Sequence, residues 1–451
     1  MELSYQGGTI MGKITFIGAG STVFAKNVLG DSMLSPALRD FDIALYDIDP
    51  NRLEDSATMV ELLNKNINEG RAKITRHLGV EQRKEALRGA DFVVNAIQVG
   101  GYVPATVDDF EIPKKYGIRQ TIADTIGIGG IFRGLRTIPV LEDVARDMEE
   151  VCPDAWLLNY TNPMAIITGF MQRYTGVKTV GLCHSVQVCS DHLLRNLGIE
   201  AQRPLKEKIA GINHMAWLLE LKDADGVDLL PEVRRRAIAE LEKMPNSECK
   251  DLVRYEYIRR LGYYCTESSE HNAEYNPWFI KPRYPELIER YNIPLDEYPR
   301  RCIRHEEKWA ERRLQFVSGD ITHERSNEYA SRIMEAMVTD VPYRIGGNVI
   351  NKGLIENLPR EACVEVPCVC SKAGIEPTVV GKLPEICAAM NRTNINTQLL
   401  TIEAAVTKKK EAVYQAALLE PRVAQELSID DTIALCDELL EAHKQFLPEY
   451  K

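Results

Sequence analysis

The first half of the chain alternates short apolar runs with longer segments whose apolar residues recur every three or four positions. KITFIG (13–18) and DIALYDID (42–49) read as buried strands. KITRH (73–77), ADFVVNAI (90–97), AWLLNY (155–160), KTVGLC (178–183) and EKIAGINH (207–214) follow as further strands. Between them RLEDSATMVELLNKNI (52–67) and RTIPVLEDVARDMEEVC (136–152) carry helical spacing. Alternating strands and helices predict an α/β fold: a mostly parallel, doubly wound sheet with helices on both faces. From about residue 215 the pattern changes to long amphipathic helices at 230–244, 250–264, 323–339 and 396–420, interrupted by β-like pieces at 363–370 and 377–384. The expected organisation is a nucleotide-binding unit over 11–214 and a C-terminal α+β lobe over 215–451, with the first ten residues as an extension.

Composition narrows the classes. Hydrophobic residues make up 45% and charged ones 27%, ordinary for a globular protein. A net charge of −11 argues against nucleic acid as a partner, since phosphate backbones are bound by concentrated positive charge. No run reaches the 18 or so apolar residues of a membrane span, and MELSYQGGTI lacks the basic and apolar regions of a secretory segment. The expected location is cytoplasmic, with the 11 cysteines as free thiols; Cys368 and Cys370 lack the second pair a metal site would need.

Gly18-Ala19-Gly20-Ser21-Thr22 follows the first strand and opens a helix. The first glycine permits a tight turn, the second lets a pyrophosphate approach bare backbone, and the helix N-terminus offers amide donors. Val23 replaces the third glycine of the usual pattern. Asp47, at the end of the second strand, suits a ribose 2′-hydroxyl and would repel a 2′-phosphate, so NAD is favoured over NADP. The competing account is a glycine-rich turn without a cofactor.

Three later strands end in polar residues: Asn162 before Pro163, Cys183-His184-Ser185, and Asn213-His214. Ligands of open α/β sheets sit beyond such strand ends. Successive strand tips would bring Cys183 and His214 together on one divalent ion. Thiolate plus imidazole alone suggests zinc, iron or cobalt, because hard Mn²⁺ prefers oxygen. Each residue also has a plainer account: a turn asparagine, a buried thiol, an interior histidine.

IGAGST with YDID, QTIADTIGIGG (120–130), NYTNPMA (159–165), GLCHS (181–185) and GINH (211–214) together resemble glycoside hydrolase family 4. So do TESSEHNAEYNPWF (266–279), LDEYPRRC (295–302) and EVPCVCSKAGIEPTVVGKLP (365–384), which extends the resemblance over nearly the whole chain from Met11. His-Ser after Cys183 resembles the α-galactosidases of the family, whereas its 6-phosphoglycosidases carry Asp there. The resemblance implies a Rossmann-like domain akin to lactate and malate dehydrogenases, NAD⁺, Mn²⁺ on Cys183 and His214, and a sugar contact from Asn162. This NAD-dependent family departs from the usual two-carboxylate scheme. The implied chemistry is oxidation at C3, loss of the C2 proton, elimination, water addition and re-reduction. His184 is the expected acid, and Tyr255, Glu267 and Glu270 are candidates for the C2 base. Asp124 is expected to bind sugar hydroxyls or to order a ligand. A homo-oligomer, dimer or tetramer, is expected, with the C-terminal helices as an interface. The alternatives are an α-glucosidase or α-galacturonidase of the same family, or a lactate/malate-type dehydrogenase.

Overall fold

The computed structural model describes residues 12–317, 319 and 321–451, so the start of the first unit at Met11 and the ten residues before it lie outside the described residues. β1 (Lys13–Ile17), β2 (Asp42–Asp47), β3 (Ile74–Leu78), β4 (Phe92–Asn95), β5 (Trp156–Asn159) and β6 (Lys178–Leu182) pair in parallel in the order β3-β2-β1-β4-β5-β6. This is the order of a Rossmann-like dinucleotide domain, as the strand–helix alternation predicts. β1 and β4 are apolar and covered on both faces, as a doubly wound sheet requires.

The sheet continues beyond β6. β7 (Lys206–Ile212), β8 (Met215–Lys222), β9 (Tyr264–Cys265), β10 (Tyr343–Ile350) and β11 (Cys363–Ser371) extend it antiparallel in the order β6-β10-β11-β7-β8-β9, and β12 (Gly374–Pro377) flanks β11. Residue 214 therefore falls in the turn of the β7–β8 hairpin, not between separate bodies. One core runs from Ile14 and Phe16 of β1 to Trp217 of β8 and Tyr257. The strand tips carrying Cys183 and His214 are also not neighbours, because β10 and β11 lie between β6 and β7. The strands MAWLLELK and YRIGGNVI lack clean alternation because most of their residues are buried, which hides them from a two-residue period.

Helix boundaries differ in three informative places. The helix expected over 136–152 spans Gly127–Val151: Gly129 and Gly130 sit against the Ala123 and Thr125 backbone, where a Cβ would come within 2.7 and 2.8 Å. The segment 396–420 is two helices, Glu385–Thr407 and Lys410–Leu418, broken at Lys408 with φ of 56°. The segment 323–339 is helical only over Ala330–Thr339, since the polar groups before it bond outward to other elements. All eleven cysteines are free thiols, and no described helix is long and apolar enough to cross a membrane.

Candidate active site

At the β1 turn Gly18, with φ of 81°, and Ala19 direct their amides to the Tyr46 carbonyl at 3.0 Å. Gly20 donates its amide to Asp47 Oδ2 at 2.6 Å, and a Cβ there would lie 2.8 Å from that oxygen. The other Asp47 oxygen accepts from the Asp49 amide at 2.9 Å, so backbone donors fix the carboxylate at the end of β2. Ser21 stands at the N-terminus of helix Thr22–Leu34 without a capping hydrogen bond from its side chain, and it lines a cavity. The Thr22 hydroxyl does not: it is buried and bonds Ser56 Oγ at 2.8 Å, joining two helices. Only the Thr22 backbone remains for a cofactor.

That cavity, of about 390 Å³, reaches from Ser21 to the strand tips and is lined by Asp124, Asn162, Cys183, His184, His214 and Glu267. Cys183 Sγ, a His214 ring nitrogen and a Glu267 carboxylate oxygen all lie within 4.8 Å of one another. His214 Nε2 stands 3.5 Å from Glu267 Oε2, while its Nδ1 pairs with the Tyr275 hydroxyl at 2.9 Å. This second contact orients the ring so that Nε2 faces the cavity. His214 and Glu267 have φ of 62° and 67°, in the left-handed region that costs a non-glycine residue about 1–3 kcal/mol. At His214 the two-residue turn of the β7–β8 hairpin imposes this conformation.

Electrostatics separates these groups. Burial opposes ionisation of Glu267, but the charges of His271, His214, Arg254 and Arg301 outweigh it and bring the carboxyl down to about 2. Burial, with the nearby Glu365 and Glu267 carboxylates, pushes the Cys183 thiol far up. Its thiolate therefore needs a cation beside it. Glu365 on β11 is itself raised to about 7 by burial, despite His214 and a bond from Asn348 at 3.0 Å.

Asn162 donates to Asp124 Oδ2 at 3.2 Å, and its own buried Oδ1 has no partner among the described residues. Thr125 bonds the other Asp124 oxygen at 2.8 Å. Glu274 accepts from the amides of Thr121 at 2.7 Å and Ala123 at 2.9 Å, holding the loop that carries Asp124. Burial raises that carboxyl to about 7. Arg133 reaches the cavity wall, donating to the Asn162 carbonyl at 3.2 Å and the Tyr298 hydroxyl at 3.4 Å.

Two base candidates lie elsewhere. Tyr255 is wholly buried in the core beside Cys249 and Asp251, off the cavity wall. Glu270 pairs with Arg301 and does not line the cavity. Of the three candidates for the C2 base, Glu267 alone faces it. Sequence reasoning did not single out His271, Tyr298 or Glu365, although they lie within the motifs 266–279, 295–302 and 365–384, nor Arg133, which follows the segment 120–130.

Residues 13–199 match the family 4 glycosyl hydrolases, and residues 209–423 match the C-terminal domain of the same family. The chain belongs to the family 4 glycosyl hydrolases. It is 61% identical to an alpha-galactosidase of Bacillus subtilis over 98% of this chain and 100% of that one. An alpha-galactosidase of Rhizobium meliloti is 35% identical over 97% of this chain and 89% of its own. Among solved structures, the 6-phospho-beta glucosidase of Thermotoga maritima superposes with a TM-score of 0.76 at 21% identity, covering 97% of this chain and 100% of its own; it was crystallised with manganese, NAD⁺ and glucose-6-phosphate. A 6-phospho-alpha-glucosidase from gut microorganisms, in complex with NAD and Mn²⁺, gives a TM-score of 0.79 at 21% identity, over 98% of this chain and 100% of its own. At these identities the structures establish the shared fold.

Proposed function

We propose that the chain hydrolyses α-galactosides with NAD⁺ and Mn²⁺ bound, by a transient oxidation of the sugar. The observation that carries the reading is the convergence of Cys183, His214 and Glu267 in a cavity that also reaches Ser21, the residue after the glycine turn. The 61% identity to an alpha-galactosidase supports the glycone, and the NAD and Mn²⁺ of the glucosidase structures support the cofactors. The residues present fit both groups. Cys183 and His214 offer a thiol and an imidazole to a single divalent cation, and a Glu267 carboxylate oxygen lies within 4.8 Å of both. A glycine turn that opens a helix at the end of the first strand, with Asp47 fixed at the end of the second, suits a dinucleotide.

Cys183 and His214 would hold the cation, and Gly18, Gly20, Ser21, the Thr22 backbone and Asp47 would hold the dinucleotide. When bound, these groups would take a hydride from C3 and return it at the end, and polarise the C3 oxygen so that the C2 hydrogen becomes acidic. Glu267, which faces the cavity beside His214, accepts the C2 proton. The C2–H electron pair forms the C1–C2 double bond as the bond from C1 to the glycosidic oxygen breaks. His184 gives its proton to that oxygen. Asn162 Oδ1, buried without a partner among the described residues, is free to accept from a sugar hydroxyl, and Asp124 holds the amide in place. Residues 11–214 would serve the dinucleotide and 215–451 would complete the sugar site, as the placement of Glu267 suggests.

The test uses protein stripped of metal and dinucleotide, assayed on nitrophenyl α-galactoside. Cleavage is expected only when both NAD⁺ and Mn²⁺ are restored, with no net NADH. Full cleavage without either, or NADH accumulating in step with substrate, would overturn the reading; the second outcome would indicate a dehydrogenase. Arg133, a buried cation on the cavity wall, favours an α-galacturonidase as the second reading. Faster cleavage of the galacturonide in the same assay would select it.

A further inference from the structure

We infer that Glu328 is a positioning residue for proton transfer, holding the His184 ring so that it can protonate the oxygen leaving C1. The inference rests on the reading of His184 as the proton donor. His184 Nε2 lies 2.5 Å from Glu328 Oε2, a pair separated by 144 residues in the chain. The Glu328 side chain is 10% exposed and that of His184 is 42% exposed, so the anchor is buried while the ring opens to the cavity. Tyr160 and Tyr329 flank the ring at centroid distances of 5.7 and 5.9 Å, the latter edge-on.

Glu328 is delivered by a strap of irregular backbone that precedes helix Ala330–Thr339. Its seat is built from several elements. Asp31, fully buried in helix Thr22–Leu34, bonds His323 Nε2 at 2.7 Å, the Ser326 amide at 2.8 Å and the Ser326 hydroxyl at 2.7 Å. Gly30 gives the His323 ring its place, since a Cβ there would come within 2.6 Å of it. Beyond Glu328, the Tyr329 hydroxyl donates to the Cys183 carbonyl at 3.0 Å, and the Ala330 amide donates to the Tyr160 hydroxyl at 3.1 Å. The strap and the start of the helix thus hold the backbone just before His184 and the Tyr160 ring beside it, as well as the His184 ring itself.

The chemistry of the pair follows. Nε2–H donates to the carboxylate, which leaves Nδ1 as the ring nitrogen for transfer. The Nδ1 proton then passes to the glycosidic oxygen as the C1–O bond breaks, and the ring is left neutral with its Nε2–H still on Glu328. Glu328 itself gains and loses no proton.

A general acid matters most for poor leaving groups, which gives a readout that loss of structure would not produce. Wild type, Glu328→Ala, Glu328→Gln and His184→Ala, each supplied with NAD⁺ and Mn²⁺, are assayed on melibiose and on dinitrophenyl α-galactoside. Glu328→Ala is expected to lower kcat on melibiose by roughly 100-fold, and on the dinitrophenyl substrate by less than about 5-fold, with KM little changed. Glu328→Gln retains an acceptor oxygen and should recover part of the melibiose rate even if the alanine variant folds poorly. Equal losses on both substrates, or no loss on either, would overturn the role of Glu328. If His184→Ala shows the leaving-group dependence and neither Glu328 variant does, only the positioning role fails. If His184→Ala shows none, the proton-donor reading fails and takes this inference with it.

Discussion

Cys183→Ser is expected to lower galactoside cleavage by about 1,000-fold at saturating NAD⁺, the scale of losing one preorganised electrostatic contact to the transition state. The thiol is buried, pushed far up by its surroundings and bonded to Ser185 Oγ at 3.1 Å, and a serine hydroxyl can keep that contact in the same space. Thermal stability of the cofactor-free protein should therefore change little. Mn²⁺ affinity, read by the paramagnetic resonance signal of free Mn²⁺, should fall sharply, because the hydroxyl supplies no anion. In the wild type the ligand must lose its proton as the cation enters, so affinity should rise with pH. Full turnover by the serine variant at ordinary Mn²⁺ concentration would remove Cys183 from the metal.

Glu267→Gln should be nearly as damaging, by about 1,000-fold in kcat, for a different reason. The amide keeps the shape of a residue already held at φ of 67° but cannot accept the C2 proton. Hydride removal at C3 does not need that base. Mixing the variant with substrate should therefore leave NADH standing at up to one equivalent per site, visible by its absorbance, while Mn²⁺ still binds. Retained turnover would exclude Glu267 as the base. Loss of Mn²⁺ binding with loss of turnover would instead make it a metal ligand.

Much of this was legible in the chain because its physics is local. The β1 turn announces itself through glycines adjacent in sequence, and Asp47 follows at the end of the next apolar run. Cys183, His214 and Asn162 stand at the ends of strands, where periodicity stops and polar residues begin. The register beyond β6 was not legible. β10 and β11 are inserted from more than a hundred residues downstream between strands that the sequence places in succession, and buried strands carry no alternation. Glu328 was hidden for a related reason. Its segment has the composition of a helix, and its bonds to His184, like those of its neighbours to Asp31, span 144 to 295 residues. Tyr255 misled in the opposite direction: a tyrosine in an amphipathic helix is as well suited to a core as to a cavity, and here packing claimed it.

The claim that holds the account together is that cleavage passes through removal and return of the C2 proton. Hydrolysis of an α-galactoside in D₂O, followed by proton resonance of the released galactose, tests it directly. Deuterium is expected at C2 of the product, introduced when the solvent-exchanged proton is returned. Galactose released with protium at C2 throughout would mean that C1 is displaced without opening the C2–H bond, and the oxidative route would be wrong.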